Sequence, residues 1–147
     1  MKKRIPYLFG FGVLAALGAA AYVWFFVYNK PHRDIENAAP DYTLTASALI
    51  REFDAGDTAS DKKYNDKVIR FSGVPKKTET ADSTVTLIFD DGTDHVVTTQ
   101  LLPKYKNELP APGTEITLKG LYNGFLAGDA AFGLPGSILL NKCSPVR

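Results

Sequence analysis

Lys67-Val68-Ile69-Arg70-Phe71-Ser72-Gly73-Val74-Pro75 is where this chain changes its period from helical to alternating. β-Branched and aromatic residues dominate it, with Ile69 and Phe71 on one side and Arg70 and Ser72 on the other, the pattern of a half-buried strand. Gly73 marks a bulge or a sharp bend, and Pro75, which has no amide to donate, ends the ladder. Residues 76–83 read as a polar turn. A second strand over 84–89 sets Val85, Leu87 and Phe89 against Thr84, Thr86 and Ile88. Asp90-Asp91-Gly92-Thr93-Asp94 has the turn chemistry of a hairpin, and 95–101 is the returning strand. Residues 103–112 form an irregular link with room for one helical turn. A fourth strand covers 113–122, a glycine-rich loop carrying Phe125 and Phe132 covers 123–136, and a fifth strand covers 137–143.

Upstream, Thr45 is placed to cap a helix over 46–54 whose Leu49, Ile50 and Phe53 form one apolar stripe. Gly56 interrupts it. Asp57 opens a weaker helical segment over 58–64, with Tyr64 expected to lay its ring on the first helix. Five short strands behind a short helix cannot build two well-covered sheets, but one curled sheet closed on itself buries the apolar faces and removes exposed edges. A bend at Gly73 lets one long strand serve both halves of such a barrel. The expected fold is therefore mainly β: a five-stranded OB-type barrel preceded by a short helix, with a small α+β sandwich as the alternative.

Ahead of the domain, Ile5 to Tyr28 runs for 24 residues without a charged side chain, directly after Lys2-Lys3-Arg4. As a helix it would be about 36 Å long, enough to cross a hydrocarbon core, and backbone amides in lipid must be bonded within the segment. Tyr22, Trp24, Phe25, Phe26 and Tyr28 crowd its far end, where amphipathic rings suit the headgroup layer. The basic excess on the leading side predicts a single pass with the N-terminus inside and the C-terminal domain exported. A cleaved signal peptide with Ala19-Ala20-Ala21 at its end is the competing reading, against which stands the apolar run from Tyr22 to Val27 that cleavage would leave exposed. Gly12, Ala16 and Ala20 share one helix face and would permit a homodimer contact. The division expected is an anchor over 1–28, a linker over 29–40 and a domain over 41–147.

Charge is unevenly distributed. Four of the 17 Lys and Arg lie at or before Lys30, whereas all 16 Asp and Glu follow Pro31, so the exported part is net negative by about three. A domain that lives on phosphate contacts usually carries a basic stripe instead. Cys143 is the only cysteine, which excludes an intrachain disulfide, and its apolar strand context points to a buried thiol.

Tyr64-Asn65-Asp66-Lys67-Val68-Ile69-Arg70-Phe71-Ser72-Gly73-Val74, Gly113-Thr114-Glu115-Ile116-Thr117-Leu118-Lys119-Gly120 and Asn141-Lys142-Cys143-Ser144, with the helix before them, resemble the first, fourth and closing strands of the tRNA-anticodon-binding-like OB-fold family. The resemblance implies the barrel far more than any activity, and by analogy with other OB domains it implies nucleic-acid binding. The loop over 126–135 is longer than that family's pattern.

Neither histidine, His32 or His95, has a partner pattern that suits catalysis, although His95 adjoins Asp94. Asp90, Asp91 and Asp94 have hard-cation chemistry, but turn geometry accounts for them, and no metal or cofactor is expected. In an OB fold the ligand lies on the middle strands and on the loops between strands one and two and between four and five. That face selects Arg70, Lys76, Lys77, Thr86, Thr98, Lys119, Tyr122, Phe125 and Phe132 as ligand-binding candidates, with Phe125 and Phe132 also able to fasten their own loop. The function expected is a membrane-tethered, non-catalytic binding module facing the cell envelope, contacting a protein, a glycan or a small ligand. Single-stranded nucleic-acid binding is the alternative.

Overall fold

A computed structural model describes residues 5–28 and 34–147, with side chains from Gly10 onward. The basic residues Lys2, Lys3 and Arg4, used above to orient the chain, and Lys30, His32 and Arg33 lie outside the described residues. The chain divides into two compact units, one through Arg33 and one from Asp34 to Arg147.

The first unit is helix α1 (Ile5–Val23), which continues as a π-helical turn over Trp24–Tyr28. Its described side chains are all exposed, and among the described residues it is the one helix long and apolar enough to cross a membrane. Aromatic pairs four residues apart stack along its end, Tyr22 on Phe26 at 4.8 Å and Trp24 on Tyr28 at 5.9 Å.

The second unit is mainly β. Strand β1 (Tyr42–Thr45) leads into α2 (Ala46–Ala55) and α3 (Asp57–Tyr64), followed by β2 (Val68–Gly73), β3 (Lys77–Ala81), β4 (Thr84–Asp90), β5 (His95–Leu101), β6 (Ile116–Leu126) and β7 (Gly136–Pro145). Thr45 caps α2 as its spacing predicts, its hydroxyl accepting from the Ala48 amide at 3.1 Å. The strands form one sheet in the order β1-β2-β6-β7-β5-β4-β3, parallel at β1–β2 and β5–β7 and antiparallel elsewhere.

Among the described residues seven strands stand where five were expected, in an open ladder that ends at β1 and β3. Two of the extra pieces have local causes. Pro75 cannot donate to a ladder, so the long first strand is interrupted after Gly73 and resumes as β3, inside the stretch read as a turn. Tyr42–Thr45 alternates Tyr42 and Leu44 with Thr43 and Thr45, too short a run to be read as a strand from sequence, and pairs in parallel with β2. The fourth strand also runs on to Leu126, through Gly124 at φ +125°, into residues read as loop.

The sheet curls far enough for β2 to meet β4 across the interior: Phe71 packs edge-on against Phe89 at 5.2 Å. A Cβ at Gly73 would lie 2.9 Å from Ala46 Cβ and 3.1 Å from Phe89, so only glycine lets α2 and β4 approach there. Leu49, Ile50 and Phe53 of α2 are 0–1% exposed and join Phe71, Leu87, Val97, Leu118, Ile138 and Leu140 in one core. Tyr64 lays its ring on Phe53 at 6.1 Å and donates its hydroxyl to Glu52 at 2.7 Å. Burial, then the Glu52 bond, pushes the Tyr64 phenol up to about 12.

Candidate functional site

The outer faces of β4 and β5 carry the alternate residues that the core rejects. Val85, Leu87 and Phe89 point inward, which leaves Thr86, Ile88 and Asp90 outward. Thr98 shares that outer surface, and Val96 flanks it. Beyond β5 the sheet continues into the start of β7, and the chain between β6 and β7 stands over this surface. The result is a groove of about 600 Å³. Ile88, Val96, Leu126 and Leu134 provide its apolar lining, Thr98 and Ser137 its hydroxyls, and Lys76, Lys77, Asp90 and Asp129 its charges. Leu126 and Leu134 are about 60% exposed, so together with Ile88 and Val96 they give the groove an accessible apolar wall.

The wall of the groove is held by its own turn chemistry. Asp129 accepts from the Ala131 amide at 2.9 Å, starting a 3₁₀ turn over Ala130–Phe132, and Gly133 closes it at φ +63°. Backbone bonds between Asp129 and Leu134 run in both directions, each 2.9 Å. The stems rest on His95: the Phe125 ring lies 5.2 Å from its ring, tilted by 48°, and a Cβ at Gly136 would collide with both side chains. A second cleft of about 520 Å³, lined by Thr93, Asp94, His95, Gly128 and Gly136, opens on the other side of the same loop.

The nine residues nominated from sequence separate into distinct settings. Lys76, Lys77 and Thr98 line the groove. Thr86 is half-buried on the same strand face, while Arg70 is exposed on β2 and faces Lys119 across the ladder. Lys119 spends its ammonium on the backbone, donating to the carbonyls of Glu36 and Ala38 at 2.6 and 2.9 Å. Tyr122 is 3% exposed and donates to Asp61. Phe125 lies 5.2 Å from Phe53 and fastens the loop stem, whereas Phe132 is 79% exposed. Ile88, Leu126 and Leu134 were not nominated. The one signal for them was Ile88, an apolar residue on an otherwise hydroxyl-bearing strand face.

His95 has a partner that sequence reading did not supply. Its Nδ1 meets Asp54 Oδ1 at the end of α2, and not the adjacent Asp94. Among the described residues no group of three or more His, Cys, Asp and Glu is placed to hold a metal ion. The chemistry of the groove is that of a binding surface: apolar area for affinity, with hydroxyls and charges of both signs for orientation.

Solved structures with this fold include a Klebsiella pneumoniae lipoprotein provisionally named as nucleic acid-binding, 15% identical, matched over 80% of this chain and all of its own at a TM-score of 0.52. More distant similarities are to a chain of the S. pombe Stn1-Ten1 complex (13% identity, 54% of this chain and 58% of that one, TM-score 0.35) and to a provisionally assigned Leishmania major aspartyl-tRNA synthetase (11% identity, 80% and 22%, TM-score 0.43). Among curated proteins, none matches the chain. The sequence model of one family matches residues 1–143, apolar helix and folded unit together. The chain belongs to the tRNA_anti-like family.

Proposed function

We propose that this chain is a membrane-tethered, non-catalytic binding module of the cell envelope, anchored by residues 5–28 and recognising an extended segment of an envelope protein in the groove on β4 and β5. The groove itself carries the reading, because two exposed leucines and a half-buried isoleucine stand beside hydroxyls and four charges. On the same reading β2 and β3 are the two halves of one bent strand, each paired through a different neighbour, and the short β1 is an addition to the β2 edge, which leaves the five strands of an OB-type barrel. The groove then falls on the side where OB folds take their ligands. The basic run Lys2-Lys3-Arg4 supports an N-inside orientation with the module exported.

Single-stranded nucleic acid is the second reading, favoured by Lys76 and Lys77 side by side at the groove. Against it, Asp90 and Asp129 balance those lysines, and among the described residues no aromatic ring lines the groove to stack a base.

Two measurements on the full chain in detergent or membranes separate the readings. Labelled single strands at low salt should give no anisotropy change; binding that collapses with added salt would establish the nucleic-acid reading. Photo-crosslinkers at positions 98 and 126 should capture one common envelope protein, absent from a crosslinker at Lys106 and lost on Leu134→Asp. Different captures at the two sites, or indifference to Leu134→Asp, would overturn the groove as the contact. A C-terminal reporter found in the cytoplasm would overturn the exported placement.

A further inference from the structure

Strand β3 ends the ladder. It pairs with β4 on one side and, among the described residues, with no strand on the other. All five of its residues, Lys77-Thr78-Glu79-Thr80-Ala81, are exposed on both faces. Such an edge presents a row of unpaired amides and carbonyls to any strand that fits it, and folded proteins usually blunt edges with proline, a bulge, a cover or charge. Here proline stands only before the strand, the β3–β4 register is continuous, and the charges present are one of each sign.

That pair of opposite charges decides what fits. Lys77 and Glu79 lie two residues apart, hence on one face, and already bridge each other at 2.5 Å. In an antiparallel pairing of two copies of β3 about Thr78, Thr78 faces Thr78 of the second copy. Lys77 then faces Glu79 of the second copy, and Glu79 faces Lys77, so the two intrastrand pairs merge into one alternating square of charge. Centring on Lys77 or Glu79 would instead oppose like charges, and centring on Thr80 would leave both charges without a counterpart. Opposite charges directly across an antiparallel pair stabilise it and like charges destabilise it. The edge is therefore self-complementary in one register.

We propose that β3 is a homodimerisation edge: two copies of this chain join β3 to β3 about a two-fold axis at Thr78, extending the sheet across both protomers. The contact is isologous, as a two-fold interface must be, and five residues bury little area. It therefore depends on the copies being held near one another, which confinement of both to one bilayer would supply.

The test uses the full chain in native membranes. Cys143 is fully buried, so an introduced cysteine is the accessible thiol. Thr78→Cys should form a disulfide-linked dimer under mild oxidation, since directly opposed Cβ atoms on paired strands lie within reach of that bond. Thr80→Cys, on the same face but out of register, should give several-fold less. Adding Lys77→Glu to Thr78→Cys should strongly reduce the dimer, and adding Lys77→Glu with Glu79→Lys should restore it. That restoration excludes misfolding as the cause of the loss. Equal crosslinking at positions 78 and 80, no crosslinking at 78, or no response to the charge exchange would each overturn the proposal.

Discussion

The hydroxyl of Tyr122 on β6 donates to Asp61 Oδ1 on α3 at 2.6 Å, across 61 positions of sequence. Both belong to the joint between the helices and the sheet, and the Tyr122 ring packs 6.0 Å from Phe53 and 6.3 Å from Tyr64. Burial, and then the Asp61 bond, raises the phenol far above its ordinary value, so the hydroxyl remains a donor at any working pH. Tyr122→Phe keeps the ring and removes that donor to a charged acceptor. It should cost about 1.5–3 kcal/mol in chemical denaturation with no change in the slope of the transition. A loss below half a kilocalorie would show that Asp61 is satisfied by water instead.

Glu36 joins the start of the folded unit to its far side. Its carboxylate accepts from Lys104 and Tyr105, its carbonyl accepts from Lys119, and neighbouring Ile35 is 3% exposed. The Lys104 bond, then that of Tyr105, holds the Glu36 carboxyl below its ordinary value, and the Glu36 bond raises Lys104 above its own. A depressed carboxyl stabilises the fold above the ordinary glutamate range and loses that contribution as pH falls through its lowered value. A raised lysine stabilises below the ordinary lysine range and loses its contribution as pH rises through the raised value. Amide exchange over residues 34–41, corrected for intrinsic rates, should therefore be slowest between those limits and faster at both. Glu36→Gln should remove the acid limb; an unchanged acid limb would place its origin elsewhere.

Gly120 on β6 is kept bare by Cys143 on β7. A Cβ at Gly120 would fall inside van der Waals contact with Cys143 Sγ, and it would lie 3.3 Å from the Asn141 carbonyl oxygen. Gly120→Ala should destabilise by about 1–3 kcal/mol through overpacking. Combining it with Cys143→Ala should cost less than the sum of the single changes, by about 1 kcal/mol. Additive losses in thermal or denaturant unfolding would assign the cost to the Asn141 carbonyl and not to sulfur.

Cys143 itself is fully buried, and burial pushes its thiol up to about 12. At neutral pH it is protonated and out of reach, so thiol reagents should label it only as fast as the fold opens. The labelling rate should rise steeply with denaturant and match the unfolding free energy. Rapid labelling in buffer would contradict the burial.

Much of the scaffold was legible from local chemistry. Thr45 caps α2 because a hydroxyl ahead of an apolar stripe has an orphan amide to satisfy nearby. Val85, Leu87 and Phe89 face inward because a strand's period is two, and Cys143 is buried with Ile138 and Leu140 on β7, the strand its apolar start announces. Strand β1 was not read: Tyr42–Thr45 alternates, but four residues are too few to separate from a loop until the β2 edge is seen beside them. Nor was β3, whose five solvent-facing residues carry no hydrophobic period to read.

The candidate site shows the same division. Sequence nominated Lys76, Lys77 and Thr98, which the groove brings together, beside Lys119 and Tyr122, which the fold directs to Glu36 and Asp61. Alone, the sequence determined an apolar helix of membrane-spanning length, a mainly β unit and the inward residues of β2, β4 and β5, because these follow from composition and period within a few residues of chain. Only the tertiary structure decided which polar groups are already partnered, that His95 meets Asp54 and not Asp94, and that Leu126 and Leu134 stay open over β4 and β5. Those outcomes depend on contacts between segments tens of residues apart, and their formation is set by how the sheet curls and where the helices rest on it.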